Sequence, residues 1–178
     1  MVVTNSTVYG NSSNGSSGTG GISNNTTSCV GACTRIIRLR NTIVVGNLLN
    51  GSSPSDISGA VDLNSLSNLI GTGGSGGLAN GNNGNQVGVA DAKLGPLTNN
   101  GGPTQTHALL PNSPAFDAGD PCVVNVTHCS ESNTSRILTD QRGLARNVDG
   151  PDANTSLMVD IGAFEAQRQP RGSSRFHH

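Results

Sequence analysis

A seven-residue frame recurs: Asn5-Ser-Thr-Val-Tyr-Gly-Asn11 aligns without a gap on Asn41-Thr-Ile-Val-Val-Gly-Asn47. The shared frame is Asn, a hydroxyl residue, three β-formers, Gly, Asn. A shorter echo follows at Ser67-Asn-Leu-Ile-Gly71, so the frame glycines Gly10, Gly46 and Gly71 are spaced by 36 and then 25 residues. Such spacings are those of stacked solenoid repeats. The first interval is longer because it holds Ser12–Ser28 and the Cys29-to-Cys33 hairpin, which read as an insertion. Thr, Ile, Val and Tyr favour a short strand. Gly and Asn tolerate positive φ, so Gly10-Asn11 and Gly46-Asn47 are expected to end the strand in a sharp bend. Asn side chains at equivalent corners can stack into a hydrogen-bonded ladder. No segment carries sustained 3.6-residue periodicity with caps, so no long helix is expected. The fold class expected is all-β: a right-handed parallel β-helix, a solenoid of few rungs with a C-terminal cap.

Composition fits a chain with a thin core. Aromatic residues make up 2% and charged residues 12%, too little for a helical bundle or a large aromatic core. The net charge of -1 separates the chain from highly charged disordered sequences. It also argues against nucleic acid as a partner, since Lys93 is the only lysine and no basic run occurs. No stretch of about twenty apolar residues exists to span a membrane. Met1–Asn5 lacks the basic and apolar regions of a signal peptide. The repeat beginning by Val3 suggests a chain that starts within a longer protein. An open coil end at residue 1 would offer an edge for end-to-end self-association.

Three regions are expected. Residues 1–93 form the rungs with inserted Gly/Asn-rich loops, including Gly73–Gly77 and Asn80–Asn85. These loops lack the recurring Asp of calcium-binding β-rolls, because no Asp lies between Asp62 and Asp91. Residues 94–166 hold most of the Asp and Pro and read as a terminal rung and cap. Residues 167–178 read as a disordered tail.

Four segments of the C-terminal region carry a resemblance. They are Leu94-Gly-Pro-Leu-Thr-Asn-Asn-Gly-Gly-Pro-Thr-Gln-Thr-His-Ala-Leu-Leu-Pro111, Ser113-Pro-Ala-Phe-Asp-Ala-Gly119, Thr139-Asp-Gln-Arg-Gly-Leu-Ala-Arg146 and Val159-Asp-Ile-Gly-Ala-Phe-Glu165. In order and spacing they resemble the terminal region of the bacterial choice-of-anchor Q proteins, extracellular right-handed parallel β-helix proteins of the pectate-lyase-like superfamily. The resemblance implies an extracellular or cell-surface location. It implies a non-catalytic module for display, adhesion or carbohydrate contact, with polysaccharide or cell-envelope components as partners. The alternative is a polysaccharide lyase or glycoside hydrolase of that superfamily. Ala166–His178 shows neither a hydrophobic span nor a sorting motif.

The candidate site residues are the charged members of these motifs. Under the enzyme reading, Asp117, Asp140 or Asp160 would act as base or ligand, with Glu165 beside them and Arg142 stabilising an anion. Under the structural reading, Arg142 forks onto Asp160 or Asp140, and Arg146 and Glu165 help pin the cap. Asp149, Asp152 and Asn154 have the spacing of an oxygen-ligand calcium loop without its terminal Glu; an Asx turn is the other reading, so the expected cofactor is none or calcium. The cysteines fall in two close pairs, Cys29 with Cys33 and Cys122 with Cys129. Local disulfides in an oxidising compartment and free thiols in a reducing one both stand open. His107 and His128 are expected to pack or hydrogen-bond. Ser113 lies outside any nucleophile elbow, and the Gly-rich runs lack the Lys of a phosphate loop. A Thr-ladder ice-binding face would need more Thr-x-Thr than the single Thr104–Thr106 instance.

Overall fold

A computed structural model describes residues 1–15, 18–24, 36–125, 136–148 and 158–167. The described chain is all-β. In chain order it forms β1 (Val2–Thr4), β2 (Thr7–Tyr9), β3 (Ser12–Ser13), β4 (Ile22–Ser23), β5 (Arg38–Arg40), β6 (Ile43–Val45) and β7 (Leu48–Leu49). There follow β8 (Ser53–Pro54), β9 (Ile57–Ser58), β10 (Leu69–Ile70), β11 (Gln86–Val87), β12 (Leu94–Thr98) and β13 (Thr106–Leu109). Two short 3₁₀ turns complete the described secondary structure, Asn82–Gly84 and Pro121–Val123. Among the described residues no helix is long and apolar enough to cross a membrane.

Parallel pairing dominates. β1 pairs with β5, β3 with β7 and β4 with β9, while β11, β10, β6 and β2 lie side by side in that order. Thr7 stands beside Ile43, Ile43 beside Leu69 and Leu69 beside Gln86. Residues bonded across these strands are 36, 26 and 17 positions apart in the chain. The antiparallel exceptions are β7 with β8 and β12 with β13.

The repeated frame does what its chemistry suggests, with two differences. Gly10 and Gly46 make the bend, at φ 68° and 67°. Gly71 does not: the echo is one residue shorter, and Gly71 takes the place of Val45, its N–H donating to Val44 O at 2.9 Å. The second left-handed corner falls at the start of the frame, on Asn5, Asn41 and Ser67 at φ 46°, 47° and 50°. Asn is the non-glycine residue best suited to that conformation. Asn11 and Asn47 act through their side chains instead, Asn11 Nδ2 donating to Asn47 Oδ1 at 2.9 Å. A parallel ladder joins Asn68 Nδ2 to Asn85 Oδ1 at 2.8 Å.

Strand alternation divides the apolar side chains between two cores. Val44 and Ile70 face one core with Leu39, Ile57, Val61 and Leu78. Ile43, Val45 and Leu69 face the other, against Leu109, Ala115, Ile161 and Phe164. β6 is therefore buried along its whole length, as an unbroken Ile-Val-Val run requires. The second core fixes the place of the described residues between 94 and 166. Gly162 N donates to Asn41 O at 2.9 Å, Ala163 N to Thr7 Oγ1 at 3.1 Å, and Gln86 Nε2 to Pro114 O at 2.7 Å. These contacts run from β2 to β11, so the described parts of the segment lie across a face of the four-stranded sheet. The reason is apolar area: Ile43 and Leu69 are fully buried, and leaving such side chains in water costs about 1.5–3 kcal/mol each.

Candidate functional site

The charged motif residues converge behind this apolar contact. Asp140 opens a tight turn in which Gly143 N donates to Asp140 O at 3.0 Å and Gly143 takes φ 86°. The turn places the Asp140 carboxylate against three backbone N–H groups: Arg142 at 2.8 Å, Leu144 at 3.1 Å and Glu165 at 3.0 Å. Arg142 completes it from the side, Nε and Nη2 both reaching Oδ2, at 2.8 and 2.7 Å. The same guanidinium donates to Glu165 O and sits 3.6 Å from the centroid of Phe164, a cation–π contact. Asp140 is thus the carboxylate that Arg142 grips. Gly102 of the Asn-Asn-Gly-Gly-Pro motif is what lets this chain approach, since a Cβ there would lie 2.7 Å from Arg142 Cα.

A second layer lies deeper. Arg146, 1% exposed, donates to Glu165 Oε2 at 3.2 Å, to Gly162 O at 2.9 Å and to Thr139 O at 3.2 Å. Asp160 accepts from Asp117 N at 2.8 Å and Ala166 N at 2.7 Å. Its own N–H faces both Glu165 oxygens. Asp117 contributes its backbone here, in a left-handed conformation at φ 48°. Burial pushes Glu165 up to about 9, the neighbouring Asp160 adding to the rise. Burial likewise pushes Asp160 up to about 6. Burial also pulls the Arg146 guanidinium below its ordinary value. One cation at 3.2 Å offsets only part of the cost of burying two carboxyls together.

Two acids with raised and separated pKa values resemble an acid–base pair in outline. Their access is limited: Asp160 is 2% and Glu165 1% exposed, and their oxygens are occupied by backbone donors and Arg146. The cluster joins the motif segments to one another, while Gly162 N, Ala163 N and the apolar core hold them to the sheet. A further corner contact serves the same end, Asn41 Oδ1 accepting from Asp120 N at 2.7 Å and Nδ2 donating to Asp120 O at 3.1 Å.

The sequence motifs did not single out Asp56. It is 1% exposed and its carboxylate joins two segments that lie 9 and 17 residues away along the chain. Oδ1 accepts from Asn47 N and Nδ2, both at 3.0 Å, and Oδ2 from Gly73 N at 2.9 Å. An isolated Asp in a Ser-Pro-Ser-Asp-Ile run looks like a turn residue; its role depends on partners from distant positions.

His107 hydrogen-bonds, Nδ1 lying 2.8 Å from Gly95 O. Ser113 Oγ donates to Ala92 O at 2.7 Å. Cys122 is buried and disulfide-bonded. Cys29, Cys33, Cys129, His128 and the calcium candidates Asp149, Asp152 and Asn154 lie outside the described residues, as does the chain from 168 on. Among the described residues no group of three or more His, Cys, Asp or Glu side chains is placed to hold a metal ion. In comparisons with known proteins, no family model, curated protein or solved structure matches the chain.

Proposed function

We propose that this chain is a right-handed parallel β-helix module of a secreted or cell-surface protein, akin to the choice-of-anchor Q proteins, and that it works in display and adhesion without catalysis. Successive parallel pairings across 36, 26 and 17 residues support a coil of stacked turns, and a parallel crossover is right-handed as a rule. The observation that carries the functional half is the use of the charged motif residues. Asp140, Arg142, Arg146, Asp160 and Glu165 are spent on backbone groups and on each other, which suits a scaffold. A stiff, nearly neutral module exposing polar corners would meet polysaccharide or cell-envelope components. The edge of β2, which among the described residues pairs only with β6, is where end-to-end association would form.

The enzyme reading has one favourable observation, the raised acids Asp160 and Glu165. The two readings separate in one assay. Purified protein is incubated with uronic-acid and neutral polymers, with and without calcium. The display reading expects neither reducing ends nor unsaturated products; release of either that is lost in Glu165→Gln would overturn it.

A further inference from the structure

The chain has one Tyr and no Trp, and the structure sets that tyrosine at a cleft. The Tyr9 ring meets His107 edge to face, centroids 4.8 Å apart and planes at 87°, and remains 37% exposed. The cleft, about 250 Å³, lies between the first repeat and the β12–β13 hairpin. Its lining includes Tyr9, Asn11, Leu97, Gln105, His107 and Gln141, and no Asp, Glu, Lys or Arg among the described residues. The hydrogen-bonding atoms have a definite sense. A carbonyl partner for Nδ1 of His107 makes that nitrogen the protonated one, so in the neutral ring Nε2 is an acceptor. Asn11 spends Nδ2 on Asn47, and Gln141 spends Nε2 on Thr104 Oγ1 at 2.8 Å. Each keeps a carbonyl oxygen without a partner among the described residues.

Acceptors carried by lining residues on both sides of the cleft call for a ligand rich in hydroxyl donors. The absence of charge among the described lining residues disfavours uronates, phosphates and cations, which would be desolvated without compensation. Tyr9 and Leu97, the latter 55% exposed, supply an apolar surface of the kind that packs against the C–H face of a pyranose. The volume lies below the roughly 300 Å³ at which ordinary small-molecule pockets begin, which fits about one monosaccharide unit. From these features we infer that the Tyr9–His107 cleft binds one residue of a neutral saccharide. The inference rests on the display reading and supplies its ligand class and contact point.

The single tyrosine makes the test direct, because all Tyr emission comes from the cleft. Wild-type protein is titrated with neutral gluco-, manno- and galacto-tetrasaccharides, with tetragalacturonate as the charged control, while Tyr9 emission is followed. A saturable change with a neutral sugar, at a Kd of about 1 mM as befits so small a contact, is expected, and none with the uronate. His107→Ala keeps the reporter and should weaken binding about tenfold, with unchanged circular dichroism; Asn11→Ala tests the opposite wall in the same way. Emission that stays flat with every neutral sugar, or that responds equally to the uronate, overturns the inference. Product release from polymers, by contrast, would sink the display reading and leave this titration untouched.

Discussion

Replacing Asp140 by Ala removes the acceptor at the centre of the cluster, and the structure sets the size of the effect. Three backbone N–H groups lose their partner, those of Arg142, Leu144 and Glu165. Arg142 is left as a buried cation, with side-chain exposures of 6% for Arg142 and 0% for Asp140 in the pair. Breaking such a pair from one side costs about 3–5 kcal/mol, because the remaining charge and amides keep their desolvation penalty. For a chain of this length about 1 kcal/mol moves Tm by roughly 2–4 °C, so the variant should melt about 6–20 °C lower. Thermal and urea melts followed by circular dichroism measure this. Arg142→Ala and the double variant complete a cycle, whose coupling should reach about 2 kcal/mol. The exposed pair Lys93–Asp91 is the control, and Lys93→Ala should leave melting unchanged. If Asp140→Ala melts with the wild type, or if the two losses simply add, the cluster does not hold the motif segments together.

Other outcomes follow from single contacts. Asp56→Asn turns one carboxylate oxygen into a donor that must face a backbone N–H, of Asn47 or Gly73. A loss of about 1–3 kcal/mol is expected in urea unfolding, and an unchanged midpoint would contradict the bridging role. Asp160 and Glu165 have folded-state values raised to about 6 and about 9, so the folded state binds their protons more tightly than the unfolded chain does. Their contribution is complete below about pH 4 and declines as pH rises through about 6 and then about 9. Glu165→Gln should flatten the upper part of that decline, and a variant that loses stability with pH as steeply as the wild type would refute the assignment. Gly162 sits at φ 110°, and a Cβ there would lie 2.8 Å from Ile43 Cδ1 and 2.9 Å from Thr7 Oγ1. Gly162→Ala should therefore cost about 1–3 kcal/mol from backbone strain and overpacking, read as a lower urea midpoint. Peptide mapping under non-reducing conditions should join Cys122 to Cys129; free thiols at both in freshly oxidised protein would exclude it.

How far the sequence could be read depended on the distance over which each signal acts. The Asn5–Asn11 and Asn41–Asn47 frames announced short strands, glycine corners and amide ladders, since each follows from conformational preference within a few residues. The echo at Ser67–Gly71 was legible as a repeat but not in its alignment: whether Gly71 matches Gly46 or Val45 depends on pairing across 26 positions. The motifs from Leu94 to Glu165 contain charged residues that the structure brings together, while the partner of Arg142 stayed open between Asp140 and Asp160. Asp56 and the Tyr9–His107 pair went unnoticed, because neither sits in a local pattern and their partners lie far along the chain.

By itself, then, the order of residues determined the strand-forming segments, the corners between them and the poverty of charge and aromatics that a thin core requires. Only the tertiary structure decided which face the described residues between 94 and 166 cover, which carboxylate Arg142 grips and which side chains share a cleft. The physical reason is that conformational preference is a property of neighbours in the chain. Burial, desolvation and hydrogen-bond satisfaction are properties of neighbours in space, and they chose among arrangements that local preference left equivalent.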